Sequence, residues 1–196
     1  MFSLLACVLA LAAPNAQTLD LNKFVYPLSK PIPTPPVEID ITDSPESAAW
    51  AAAAKQLTID WFPTLTSLLA TENYKAPDKI TLTFKKEISA PAYASGGGIT
   101  INAKWIRDHP NDLGMVIHEL VHVIQMYPGF KEKPGWLVEG IADYIRWWRY
   151  EPEVPRTKPN PEKANYNDSY RTTGWWLGWV SQKYDRRLVP ALDRAL

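Results

Sequence analysis

The sequence predicts an α+β fold, with a small N-terminal mixed sheet followed by helices. Segments in which apolar and polar residues alternate, as they do in strands, lie in the first half of the chain, at residues 37–42, 79–86 and 99–102. Segments with apolar residues at helical spacing dominate the second half. The length of 196 residues, 46% of them hydrophobic, is sufficient for one domain with its own core.

The N-terminal segment predicts secretion. Residues 1–16 form an apolar run with small residues toward its end, which resembles a signal peptide and is too short to span a bilayer. No Lys or Arg precedes the run, so an N-terminal anchor or a start-site artefact is the alternative. Cleavage within residues 12–16 would remove Cys7, the only cysteine, and leave a protein without disulfides. Residues 17–36 are predicted to be a Pro-rich linker, and residues 37–196 the folded domain.

The first half of the domain is predicted to contain one long helix between the first two strands. Ser44 is expected to cap this helix, and Pro45 suits its first turn. An Ala-rich segment continues the helix toward Leu69, with a kink expected near Pro63. The glycines of residues 96–98 predict a turn or bulge just before the third strand.

The second half is predicted to be helical. Its first helix carries VIHELVHVIQ and is expected to be capped by Asn111 or Asp112. The next helix carries WLVEGIADYIRWW, and a third carries SYRTTGWWLGWVSQKYD. A Pro-rich loop at residues 151–161 separates these two, and LVPALDRAL at the end of the chain is again helical in pattern.

The charge balance excludes several kinds of partner. The chain has 21 basic and 21 acidic residues, and no basic stripe suggests a nucleic acid or a membrane surface as partner. We therefore expect no nucleic acid partner and no membrane association once the signal peptide is removed. The expected form in solution is a monomer.

The sequence HELVH predicts a metal site. His118 and His122 are four residues apart, so they lie on one face of a helix and can hold one metal ion between them. Glu119 is turned about a quarter-circle away on the helix, where it can act as a base on a metal-bound water. The alternative is a pair of buried histidines that bind backbone or carboxylate groups, since buried polar side chains need partners.

A third protein ligand is needed to complete such a site. The metzincin pattern HExxHxxGxxH is excluded, because Gln125 and Pro128 stand where it requires Gly and His. The only other histidine is His109, which is interpreted as an exposed loop residue before Pro110.

The next helix supplies better candidates. Glu139 and Asp143 are four residues apart on a mostly apolar helix, so both carboxylates need partners there. Glu139 is predicted to bind a zinc ion, and Asp143 to accept the free N–H of a ligand histidine. Asp143 as the third ligand stays open, and ordinary ion pairs with Arg146 or Arg149 are the structural alternative.

These motifs together resemble the basic secretory protein family. The resemblance is carried by VIHELVHVIQ, PGWLVEGIADYIR, GGITINAKWI and YRTTGWWLGWVSQKYD, and it extends from about residue 37 to the C-terminus. It implies a zincin-like metallopeptidase domain, related to the gluzincins, in which the helices carry HExxH and ExxxD. His118, His122 and Glu139 match the family's presumed zinc ligands, and Glu119 matches its catalytic base.

The resemblance also points to Tyr170, which matches a tyrosine of the family's third helix. Tyr170 is predicted to stabilise the oxyanion; the alternative is a core tyrosine at the start of a helix. The balanced charge departs from the basic character that the family name implies.

The predicted function is that of a secreted zinc peptidase acting on peptide or protein substrates. The strand at residues 99–102 is expected to lie beside the cleft, where an extended peptide could add to its edge. Trp147 and Trp148 are expected in the core rather than in substrate subsites. Two alternatives remain, a non-catalytic, zinc-stabilised defence or glycan-binding protein and a zinc amidase acting on cell-wall peptides.

Overall fold

The computed structural model describes residues 32–71, 73–126 and 132–196. The predicted signal peptide, Cys7 and most of the predicted linker lie outside these residues. The strands are β1 Val37–Asp40, β2 Ile80–Lys85, β3 Ala92–Ser95 and β4 Gly98–Asn102. The helices are α1 Ala48–Leu69, α2 Ala103–Asp108, α3 Gly114–Ile124, α4 Gly135–Ile145, α5 Tyr170–Lys183 and α6 Leu188–Ala195. The predicted α+β class, with a small sheet followed by helices, is confirmed.

The four strands form one mixed sheet in the order β1-β2-β4-β3. β1 pairs with β2 and β2 pairs with β4 in parallel, whereas β3 is antiparallel to β4. Gly96 and Gly97 both have positive φ and form the turn between β3 and β4, a conformation that glycine adopts readily. β3 was not predicted, because its four residues AYAS contain little of the β-branched and aromatic character typical of strands.

One face of the sheet packs against the helices. The side chains of Ile80, Leu82 and Phe84 are fully buried, as predicted from their alternation, and Ile101 of β4 is buried with them. α1 runs without interruption through Pro63, and the hydroxyl of Thr66 donates to the Phe62 carbonyl at 2.9 Å. Among the described residues, no helix is both long enough and apolar enough to cross a bilayer.

Ser44 occupies the N-cap position of the helical turn that leads into α1, but its side chain makes no capping hydrogen bond, and the predicted cap of α3 is wrong. The Ser44 hydroxyl contacts Ser47 Oγ at 2.8 Å rather than a backbone N–H, and a short 3₁₀ helix, Pro45–Ser47, precedes α1. Asp112 does not cap α3 either, since its carboxylate accepts from Trp105 Nε1 at 2.9 Å. Other side chains are the hydrogen-bond partners of Ser44 and Asp112 in place of the backbone N–H groups at the helix starts.

A distant carboxylate caps α3 instead. Glu151 follows a π-helical segment, Arg146–Tyr150, that continues directly from α4, and it accepts a hydrogen bond from the backbone N–H of Gly114. Arg146 forms ion pairs with both Asp112 and Glu151. These contacts tie the N-terminus of α3 to the C-terminal end of α4, so the two helices are held in a fixed relative position.

α4 packs closely against α5 because a glycine lies at their contact. A Cβ built on Gly140 would overlap Cγ2 of Thr173, a fully buried residue of α5. We expect Gly140→Ala to lower the free energy of unfolding by about 1–3 kcal/mol, as overpacking of a close contact usually does. Denaturant unfolding of the purified protein measures this change.

Gly135→Ala is the matched control for that substitution. Gly135 lies at the start of the same helix, and a Cβ there would meet nothing within 4 Å. Equal stability of the two variants would show that close packing at Gly140 does not hold the helices together.

Candidate metal centre

Successive turns of α3 direct the side chains of two histidines toward the same point. His118 and His122 are four residues apart on this helix, and their Nε2 atoms lie 3.1 Å from each other. The apolar side chains of α3, including Ile117, Leu120 and Val121, are buried in the core and fix the helix in place. His118 is only 9% exposed, so its polar atoms depend on partners within the protein.

α4 supplies the third group. Glu139 Oε2 lies 3.1 Å from His118 Nε2 and 3.3 Å from His122 Nε2. The three atoms therefore form a nearly equilateral triangle. Tetrahedral zinc with Zn–N bonds of about 2.0–2.1 Å holds its ligand atoms about 3.3 Å apart, so the spacing fits one small divalent ion. This cluster can hold a metal ion.

The other polar candidates occupy different positions. Asp143 Oδ1 accepts from His118 Nδ1 at 2.8 Å, on the side of the ring opposite to the cluster. Asp143 thus contacts one histidine of the cluster from outside the triangle of possible metal-binding atoms. His109 is exposed and stacks on Trp105 with ring centroids 3.9 Å apart, consistent with its interpretation as a loop residue. Arg146 pairs with Asp112 and Glu151 instead of with a carboxylate of α4.

His122 has a partner that the sequence analysis missed. Its Nδ1 donates to Gln125 Oε1 at 3.0 Å, with Gln125 completely buried. In the sequence, Gln125 served only to exclude the metzincin pattern. A polar residue three positions after a ligand histidine could have suggested this contact, because such residues lie on the same side of a helix.

Opposite charges hold the three residues of the cluster together. Burial disfavours the charged form of His118, but hydrogen bonds with Asp143 and Glu139 raise its pKa to about 9. Burial likewise acts to raise the pKa of Glu139, but hydrogen bonds from His118 and His122 lower it to about 2. A protonated imidazole and an ionised carboxylate therefore face each other at the point where a cation would bind.

Glu119 lies beside the cluster, where α3 faces the sheet. Its side chain is 8% exposed, and burial is the main cause of its raised pKa. It accepts a hydrogen bond from the backbone N–H of Ala94 in β3. The carboxylate is thus held between α3 and β3, and burial keeps its pKa above the usual value of a glutamate.

An open cleft of about 1060 Å³ contains the cluster. β3 and the residues around it line one side, and α3, α4 and the start of α5 line the rest. The expectation that residues 99–102 lie beside the cleft is wrong, since that strand, β4, is paired on both sides. β3 is the edge strand, with Tyr93 45% exposed.

Tyr170 faces the cleft from the first residue of α5. Its side chain is 56% exposed, so the core-tyrosine interpretation is wrong. Its ring lies nearly parallel to that of His118, with 6.3 Å between centroids.

Ser169 and Tyr170 both have positive φ, a strain of about 1–3 kcal/mol each that is typical of functional sites. The charge of Glu139 is the main cause of the raised pKa of Tyr170, so its phenol remains a donor at neutral pH.

The two tryptophans that follow α4 belong to the core, as predicted. Trp147 is 7% and Trp148 9% exposed, and both are part of the main apolar cluster. Trp147 also borders the cleft, where the guanidinium groups of Arg146 and Arg171 lie over its ring at 4.2 and 4.6 Å from the centroid.

The fold and the cluster together define an α+β protein whose adjacent helices place two imidazoles and a carboxylate, a set able to bind a metal ion, in an open cleft. A family model described as peptidase of plants and bacteria, BSP, matches residues 42–196. The chain therefore belongs to this family, which confirms the resemblance to the basic secretory proteins. The family description implies a peptidase-like hydrolase with peptide or protein substrates. Neither a curated protein nor a solved structure matches the chain.

Proposed function

We propose that the protein is a secreted, zinc-dependent peptidase with a zincin-like domain, in which Glu119 acts as general base. The triangle of His118, His122 and Glu139 is the single observation that carries the proposal. Two imidazoles and one carboxylate are the donor set of many catalytic zinc sites, which leave a fourth position open. Bound zinc would supply Lewis acidity, which activates a water molecule and polarises the scissile carbonyl.

Glu119 is proposed to carry the proton. Its carboxylate takes a proton from the attacking water and delivers it to the nitrogen of the leaving amine. Burial supports this role, because it raises the pKa of Glu119 and so makes its carboxylate a stronger base. The hydrogen bond from Ala94 N–H keeps the carboxylate oriented on the cleft side of α3.

Tyr170 is proposed to stabilise the oxyanion. Its phenol is protonated at neutral pH and its ring lies beside that of His118 in the cleft, so it can donate a hydrogen bond to charge that develops on the carbonyl oxygen. The left-handed backbone at Ser169 and Tyr170 supports the role, since it aims the side chain out of the helix start and into the cleft.

The substrate is proposed to bind in extended form along β3. Among the described residues, β3 pairs with another strand on one side only, so its second edge offers backbone donors and acceptors to a peptide. Glu119 contacts the same strand through Ala94, which places a bound backbone next to the base.

The remaining proposals concern the whole chain. A signal peptide at residues 1–16 and a linker at residues 17–36 would precede the peptidase domain at residues 37–196. The mature protein would act outside the cell as a monomer, with no nucleic acid partner. The balanced charge of the chain supports the last of these points.

Metal analysis and chelation test the proposal. The purified protein is expected to contain about one zinc per chain. It should cleave an unfolded protein, lose that activity in a chelator and regain it when zinc is added back. A protein that binds zinc but cleaves neither unfolded proteins nor glycopeptides would favour the non-catalytic alternative. Cleavage confined to cell-wall peptides would favour the amidase.

Zinc affinity is expected to rise with pH. In the metal-free protein His118 is protonated at pH 7, because its pKa is raised to about 9, and a protonated imidazole cannot bind zinc through Nε2. A single competing proton makes the apparent affinity rise about tenfold per pH unit up to about pH 9 and then level off. Zinc titration against a chelator of known affinity measures the slope, and a pH-independent affinity would contradict the prediction.

A further inference from the structure

The C-terminal helix reaches the second ligand histidine through a buried glutamine. Gln125 Nε2 donates to Asp193 Oδ1 at 3.3 Å, while Gln125 Oε1 accepts from His122 Nδ1 at 3.0 Å. Asp193 belongs to α6, and 68 positions separate it from Gln125. Both side chains are completely inaccessible to solvent. Placing a carboxyl group and an amide in the core is unfavourable unless their hydrogen bonds are made.

The direction of these hydrogen bonds is fixed from the Asp193 end. A carboxylate only accepts hydrogen bonds, so the amide group of Gln125 must turn its NH₂ toward Asp193. The amide oxygen then faces His122, and an amide oxygen only accepts. His122 must therefore carry a hydrogen on Nδ1, so that Nε2, which faces His118 and Glu139, is the nitrogen left to bind a metal ion.

The two ligand histidines thus have similar support from different parts of the chain. Asp143 accepts directly from His118 Nδ1, and it lies on the same helix as the ligand Glu139. His122 receives the equivalent support through Gln125, which follows the last residue of α3, and from Asp193 of α6. No local sequence motif contains both Gln125 and Asp193.

We propose that Asp193 is a positioning residue for the metal centre, which acts through Gln125 to fix the tautomer and ring orientation of His122. Outer partners of this kind typically change metal affinity about 10- to 100-fold when they are removed. The effect on zinc binding rests on the metal site proposed above, whereas the effect on the ring of His122 does not.

Asp193→Asn is the main test, because it keeps the shape of the side chain but lets the amide of Gln125 face either way. In the metal-free protein, long-range ¹H–¹⁵N NMR over a pH titration reports the tautomer of each neutral histidine ring. The chain has only 3 histidines, which makes assignment direct. We expect one Nδ1–H form of His122 in the wild type and a mixture in the variant. The zinc dissociation constant should rise about 10- to 100-fold.

Two further variants complete the test. Asp185→Asn makes the same chemical change at an exposed site in the loop before α6 and should leave both readouts unchanged. Gln125→Met removes both hydrogen bonds at similar side-chain length, and it decides the question if Asp193→Asn does not fold. Its zinc affinity should fall by at least as much.

Unchanged NMR spectra and unchanged affinity in the folded variant, Asp193→Asn or Gln125→Met, would overturn the inference. Its failure is distinguishable from failure of the proposed function. A wild-type protein that binds no zinc or cleaves no peptide would refute the peptidase proposal, while the tautomer of His122 would still decide the role of Asp193.

Discussion

Glu119→Gln is expected to reduce peptide hydrolysis by about 10²- to 10⁴-fold, the contribution typical of a general base. Gln has the same shape and can keep the hydrogen bond from Ala94 N–H, but its amide cannot take a proton from water. His118, His122 and Glu139 are unchanged, so the variant should bind zinc as the wild type does. The measurement is kcat/KM on an unfolded substrate, together with the zinc content of the same sample.

Glu162→Gln is the matched control, because it makes the same chemical change at an exposed loop position. It should leave activity and zinc content at wild-type values. A Glu119→Gln variant that retains full activity would show that another group takes the proton, and the proposed role of Glu119 would be lost. Loss of zinc together with activity would instead assign Glu119 to metal binding.

His122→Ala is expected to remove both zinc and activity. The variant leaves one imidazole and Glu139 at the cluster, and two ligands do not close a zinc site. Removal of a residue that only contacts a ligand lowers metal affinity by at most about 100-fold. The loss of zinc affinity in His122→Ala should be larger than that. Metal analysis after dialysis against a weak chelator, and kcat/KM on the same preparation, measure the two losses.

His109→Ala provides an internal comparison for this variant. His109 stacks on Trp105 at the surface and lies outside the cluster, so its removal should change neither zinc content nor activity. If His122→Ala kept one tightly bound zinc per chain, the metal centre would have to lie elsewhere. Equal losses in the two variants would point to general damage to the protein rather than to a lost ligand.

Local periodicity explains which parts of the site could be predicted from the sequence. Residues four apart on a helix share a face whatever the rest of the fold does, so HELVH defines the histidine pair and ExxxD the carboxylate pair. Alternation similarly assigned Ile80, Leu82 and Phe84 to the buried face of β2. These inferences need only the geometry of a single helix or strand.

Contacts between distant segments could not be predicted in this way. Alternation at residues 99–102 predicted a strand beside the cleft, but β3 pairs with that strand and becomes the edge. The sequence predicted Asn111 or Asp112 as the cap of α3, but Glu151 binds the Gly114 N–H from the end of the π-helical segment after α4. At the start of α3 a tertiary partner thus takes the place of the local one.

The sequence alone determined the donor types of the metal centre and the helices that carry them, because these follow from residue spacing within one element. Only the tertiary structure decided that Glu139 contacts the Nε2 atoms of both imidazoles, while Asp143 accepts a hydrogen bond from Nδ1 of His118. It alone brought Asp193 to Gln125 across 68 positions of the chain. The reason is that hydrogen bonds between elements depend on how buried faces pack, and the spacing of residues within each element does not contain that information.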